Sequence, residues 1–182
     1  MTDTVTKNQD LLRHVVMSTS EVFATMLDMK VALEGVSVTG DSTAMNAGLL
    51  ATIGIAGPVS GSGSICLSKS FGCKIASRFL MSEYADVNDE VLDAIAELTN
   101  MIIGGVKTAL EDKLGPMGLS IPTVIFGESY LARRPNVSER MILSFRCEDN
   151  PEERFTVLIC LVSERQDRSY LRELAAFHAR LA

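Results

Sequence analysis

The chain has 182 residues, a formal net charge of -6, 47% hydrophobic and 22% charged residues. That length can bury a core as one domain. The acidic balance, the lack of tryptophan and an aromatic content of 5% exclude the basic, ring-stacking surfaces typical of nucleic-acid binders.

In chain order, residues 1–9 are polar and are expected to form a flexible lead into a single domain over 1–182. Residues 1–10 lack the apolar run of a signal peptide, and no apolar stretch approaches the ~20 residues of a membrane span. A cytoplasmic protein without membrane contact is therefore expected. Leu11, Leu12, Val15, Val16, Val22, Phe23, Met26 and Leu27 recur at helical spacing and predict a helix over about Lys7–Asp28. Alternation from Ala32 to Thr39 predicts a strand, and Gly40–Asn46 a polar loop. Strands at Leu49–Ala56 and Ser64–Ser68 flank Gly57–Gly63, read as a hairpin loop. That segment lacks the Gly-Lys-Ser/Thr ending of a phosphate-binding loop.

Phe71–Met81 predicts a short helix with Ser70 as its N-cap, and Val87–Leu114 a long one stopped by Gly115-Pro116. Strands are expected at Ile121–Gly127, Arg140–Arg146 and Phe155–Val162, with a turn at Glu148–Pro151, then an amphipathic helix over Gln166–Ala182. Cys66, Cys73, Cys147 and Cys160 form no C-x-x-C pair, and the only histidines are His14 and His178. Buried thiols are expected, and no metal site. The run from Glu21 in the first long helix can be laid on the run from Glu97 in the later one, which suggests two related helix-plus-strands halves.

The later long helix carries the functional signal. Val91, Ile95, Leu98, Ile102, Val106 and Ala109 share one face, widened by Leu92, Thr99, Ile103 and Leu110. Asp93, Glu97, Asn100 and Gly104 lie on the opposite face, at spacings that make them neighbours. Asparagine is a poor residue for a helix interior, and Gly104 and Gly105 cost the helix about 1 kcal/mol each. A helix that gives up propensity there keeps a flat surface for a partner.

The pattern Asp93-x-x-x-Glu97-x-x-Asn100, followed by Pro122 in Ser120-Ile121-Pro122-Thr123-Val124, resembles the signature of the CheX, CheC and FliY phosphatases of bacterial chemotaxis. The likeness runs from about Asp10 to Arg165. It implies an α+β, CheC-like fold: two pseudo-symmetric long helices packed on a mostly antiparallel β-sheet. It also implies hydrolysis of the phospho-aspartate of a CheY-like response regulator. Catalysis would fall to Glu97 and Asn100, and partner binding to Asp93, Gly104 and Pro122. The Mg²⁺ would come from the regulator, the chain holding no cofactor of its own. The first helix has Glu21 but Ala24 in the asparagine position and Met17 in the acidic one, so that copy is expected to be inactive. A homodimer is implied as well. The alternative is a non-catalytic CheX-like module that binds a response regulator or a motor component.

Overall fold

The computed structural model describes the backbone of residues 2–39, 43–132 and 140–163, and side chains over 10–38, 48–127 and 140–161. The predicted C-terminal helix over 166–182 lies outside the described residues. The described elements are α1 (Thr2–Leu27), β1 (Val31–Thr39), β2 (Thr43–Ala56), β3 (Val59–Leu67), α2 (Lys69–Leu80), α3 (Asp89–Leu114), β4 (Gly118–Leu119), β5 (Thr123–Ala132), β6 (Arg140–Cys147) and β7 (Arg154–Ser163).

The strands form one seven-stranded sheet in the order β1-β6-β7-β3-β2-β4, with β5 also paired to β2. Every pair is antiparallel. Period-two alternation sends Leu49, Ala51, Ile53 and Ile55 of β2, and Leu143 and Phe145 of β6, into a core shared with the helices. The sheet has a pseudo-two-fold between β3 and β7. The hairpin β2–β3 corresponds to β6–β7. The outer strand β1 pairs with β6 of the other half, and β5 returns the exchange by pairing with β2. The fold is thus the α+β arrangement implied by the sequence, with two pseudo-symmetric long helices on an antiparallel sheet.

The two long helices pack against each other antiparallel. Lys113 meets Asp10 at 2.5 Å near one end, and Ser18 Oγ donates to the Ile102 carbonyl at 2.7 Å further along. Their correspondence is close. Residues 15–23 of α1 and 91–99 of α3, set in register by superposing Glu21 on Glu97, show the same succession of buried, half-buried and exposed positions. The expected repeat is therefore a repeat of structure.

Several boundaries differ from expectation. The first helix reaches back to Thr2, into the stretch read as a flexible lead, and β2 begins at Thr43 rather than Leu49. The N-cap of α2 is Ser68, not Ser70: its side chain accepts from the Phe71 N–H at 3.2 Å. The long helix starts at Asp89, capped by Asn88, whose Oδ1 accepts from the Val91 N–H at 3.0 Å.

The largest correction concerns Gly57–Gly63. Only Gly57-Pro58 forms the turn, and β3 runs from Val59. Gly61 and Gly63 sit inside that strand because neighbours come too close for a side chain. A Cβ on Gly61 would stand 2.0 Å from the Cys160 carbonyl oxygen, and one on Gly63 2.4 Å from Ile103 Cδ1. All four cysteines are buried, as expected, and none forms a disulfide. Burial pushes the Cys66 thiol up to about 12.

Candidate functional site

The site rests on α3, because that helix has one face committed to the core and one that the described residues leave largely uncovered. Val91, Ala94, Ile95, Leu98, Thr99, Ile102, Ile103, Val106 and Leu110 are buried. The Thr99 hydroxyl is satisfied inside the helix by the Ile95 carbonyl at 2.7 Å. On the other face Asp93 and Glu97 are exposed, and Asn100 and Gly104 are half-buried. Glu97 and Asn100 are one turn apart, with Cβ atoms about 5–6 Å from each other by helix geometry. Among the described residues, the side chains of Asp93, Glu97 and Asn100 make no hydrogen bond or ion pair. A carboxylate and a carboxamide thus stand side by side on a rigid helix with their polar atoms available.

Asn88 and the acidic first turn of Asp89 and Glu90 fix the start of this helix, and Glu90 accepts from the Tyr84 hydroxyl at 2.7 Å. The far end is tied to the segment that follows it. Lys107 Nζ meets Glu111 at 2.9 Å and donates to the Met117 carbonyl at 3.3 Å. Glu111 in turn accepts from the Met117 N–H at 2.7 Å. Lys107 and that N–H together hold the Glu111 carboxyl below the usual carboxylate range.

From Met117 the chain returns along α3 toward its N-terminus. A Cβ on Gly104 would lie 3.9 Å from Leu119 Cδ1, an ordinary contact. Ser120 then fastens the chain to β2: its N–H donates to the Gly54 carbonyl at 2.9 Å, and its Oγ accepts from the Gly54 N–H at 2.8 Å. Pro122, half-buried, leads into β5.

The structure therefore brings Asp93, Glu97, Asn100 and Gly104 together on one helical face. Pro122 sits instead at the end of the returning segment. Gly104 and Gly105 have different roles, which their shared cost to the helix concealed. Gly104 leaves room on the site face. Gly105 belongs to the helix–helix contact, where a Cβ would stand 2.3 Å from Ser18 Oγ. The clamp of Ser120 on Gly54 was not anticipated. Its only trace in the sequence is a serine directly before the Ile121-Pro122 pair.

The family model described as chemotaxis phosphatase CheX matches residues 49–146. Among solved structures, a CheC-like superfamily protein from Shewanella sp. PV-4 is 25% identical, with a TM-score of 0.74 over 85% of this chain and 98% of that one. The chemotaxis protein CheX of Desulfovibrio desulfuricans is 24% identical, with a TM-score of 0.73 over 84% of this chain and 99% of its own. The CheX–CheY–BeF3–Mg²⁺ complex of Borrelia burgdorferi contains a chain 24% identical, with a TM-score of 0.58 over 82% of this chain and 96% of that one. No curated protein matches the chain.

Proposed function

Because the chain belongs to the chemotaxis phosphatase CheX family, we propose that it hydrolyses the phospho-aspartate of a CheY-type response regulator. The observation that carries this reading is the Glu97–Asn100 couple, without a hydrogen bond or ion pair among the described residues, on a helix whose other face is buried. The Borrelia burgdorferi relative, solved with CheY, BeF3 and Mg²⁺, supports the choice of partner.

The substrate is an acyl phosphate, and the regulator brings the Mg²⁺ that screens its charge. What the chain adds is position. The α3 face enters the regulator's active site, and the Asn100 carboxamide holds a water in line with the phosphorus. An amide suits the task because its carbonyl accepts from the water while its NH2 donates to a phosphoryl oxygen. The water oxygen forms a bond to phosphorus as the bond to the aspartyl oxygen breaks. That oxygen leaves with the electron pair as a carboxylate; one water proton stays on the attacking oxygen and the other passes to a phosphoryl oxygen, so the product is dihydrogen phosphate. Orientation and electrostatics supply most of the catalysis in such transfers. Glu97 pairs with the regulator's active-site lysine and sets the register of the docked helix, a charge-assisted contact that gives orientation as well as affinity. Asp93, one turn earlier, adds to docking. Gly104 lets the partner approach, and Pro122 holds the returning chain beside the helix. The protein works in the cytoplasm as a homodimer, without nucleic-acid or membrane partners. Sedimentation velocity tests the dimer.

The decisive experiment follows the decay of a phosphorylated CheY-type regulator with wild-type protein and with Asn100→Ala. Acceleration by the wild type that vanishes in the variant is expected. Binding of the regulator by both proteins without acceleration by either would leave a docking module in place of an enzyme.

A further inference from the structure

We infer that Ile121 is a hydrophobic anchor for the response regulator, set beside the α3 face and deciding which regulators dock well. This inference rests on the function proposed above. The side chain of Ile121 is 89% exposed, more than any other described Ile, Leu or Val. A single exposed aliphatic residue is unremarkable on a soluble protein. Two features of this one are not.

The first is its position. The chain after α3 meets Lys107 and Glu111 at Met117, and Gly104 at Leu119. It is moving back along the helix. Two extended residues advance about 6–7 Å, slightly more than the ~5.4 Å of one helical turn. That brings Ile121 to the level of the turn carrying Asn100.

The second is rigidity. Ser120 is fastened to Gly54 through both its N–H and its Oγ, and that same Oγ donates to the Ile121 carbonyl at 3.0 Å. Pro122 fixes φ on the other side. An isoleucine held out in water by a clamped backbone loses little freedom on burial, which is what makes an anchor effective.

The occupant is the regulator because the anchor is continuous with the Asp93, Glu97 and Asn100 face that the regulator covers. Those polar groups engage the regulator's active site. The anchor adds an apolar contact at its rim, and regulators with a polar rim there are discriminated against.

The test titrates a purified CheY-type receiver, activated with beryllofluoride and Mg²⁺, into wild type, Ile121→Ser and Val38→Ser. Val38 is also an exposed aliphatic residue but lies on β1, at the opposite edge of the sheet. We expect Ile121→Ser to weaken the receiver's affinity about tenfold or more, with the turnover rate at saturating phosphorylated receiver unchanged, and Val38→Ser to bind as wild type. Equal affinity for wild type and Ile121→Ser overturns the anchor and leaves the proposed function standing. Failure of the wild type to bind or dephosphorylate any activated receiver of its own cell overturns the function and the anchor together. A change in sedimentation of Ile121→Ser, with receiver affinity intact, would assign the residue to contact with a second copy and would also overturn the inference.

Discussion

The two pseudo-symmetric halves differ in what they do with the same scaffold. Where α3 carries Asp89, Glu90, Asp93, Glu97 and Asn100, the matching positions of α1 hold Arg13, His14, Met17, Glu21 and Ala24. Both stripes lie opposite faces buried in the same order. The residue two before β5 is the exposed Ile121, and the residue before that strand is Pro122. The corresponding pair before β1 is the buried Met29 and the exposed Lys30. Beside Lys30, Arg78 donates to the carbonyls of Leu27 and Asp28 at the end of α1. One face is acidic with an apolar edge, and the other is mixed with a cationic edge. A partner presenting an active-site lysine is drawn to the first and opposed at the second. Burial sets the fold of each half, and the halves differ in what they expose; under the proposed function that difference selects the α3 face.

The halves also seat their helices differently. In α1, Phe23 stacks on Phe155 with ring centroids 4.7 Å apart, and Phe155 stacks on Phe145 at 5.1 Å. In α3 the residue matching Phe23 is Thr99, and the neighbouring Ile103 rests directly on Gly63. Stacked aromatic rings fill the space under the helix without the full motif, whereas under the motif helix a glycine makes room for Ile103.

The largest expected effect is at the site itself. Asn100→Ala should reduce the stimulated decay of a phosphorylated receiver about 100-fold or more, the scale at which misplacing a reactant acts. The fold should survive, since alanine is the better helix former. Circular dichroism and phosphate-release kinetics on one preparation would separate the two outcomes. A variant that keeps full activity would break the comparison, because the absence of asparagine from α1 would then explain nothing.

Next comes the seat of α3. Gly63→Ala places a methyl group 2.4 Å from Ile103 Cδ1 and 2.6 Å from its Cγ1. Repacking a full core around such an addition costs about 1–3 kcal/mol. Urea denaturation should show that loss as a lower midpoint with an unchanged slope. The displaced helix should also dephosphorylate more slowly.

The adjacent helix glycines should respond with opposite signs. At Gly105 the added methyl group meets Ser18 Oγ at 2.3 Å, and turning that hydroxyl away gives up its bond to the Ile102 carbonyl. Leaving that buried pair unmade costs about 1–3 kcal/mol, of which the helix preference for alanine returns about 1 kcal/mol. Gly105→Ala should therefore be destabilised by up to about 2 kcal/mol. Gly104→Ala finds only an ordinary contact 3.9 Å away and should be stabilised by about 0.5–1 kcal/mol, while its affinity for an activated receiver falls. Thermal melts and one titration would read all of this.

These contrasts show what the sequence made legible. Period 3.6 was enough to place Asp93, Glu97, Asn100 and Gly104 on one face, because a helix this long fixes its own register. The match of Glu21 to Glu97 was visible for the same reason. Glycine was harder to interpret. Gly61 and Gly63 look like loop residues among serines. Their reason for being glycine is the carbonyl of Cys160 on β7 and the side chain of Ile103 on α3, and both partners are distant in the sequence. Gly105 answers to Ser18, 87 residues earlier. The exposure of Ile121 likewise depends on the clamp of Ser120 to Gly54, a contact between segments 66 residues apart. Local spacing carries helix faces, whereas close approaches between distant segments leave no periodic trace.

The smallest expected effect is the most informative about why the halves diverged. If the missing amide alone silences α1, then Ala24→Asn placed in the Asn100→Ala background should restore some activity, since Glu21 is already exposed one turn away. The charge around that face argues otherwise. Lys30 and Arg78 stand at its edge, and Arg13 and His14 replace two carboxylates a turn or two earlier. A receiver's lysine would meet like charge on approach, which costs association rate and register even where contacts are few. No recovery is expected from Ala24→Asn alone. Adding Met17→Asp, which restores the acidic position, and Lys30→Pro, which removes one cation of that edge, should give the first detectable turnover. Salt separates the causes: if charge is the barrier, higher ionic strength should raise the single variant's residual rate and lower that of the native site. Full activity from Ala24→Asn by itself would reduce the difference between the halves to one carboxamide.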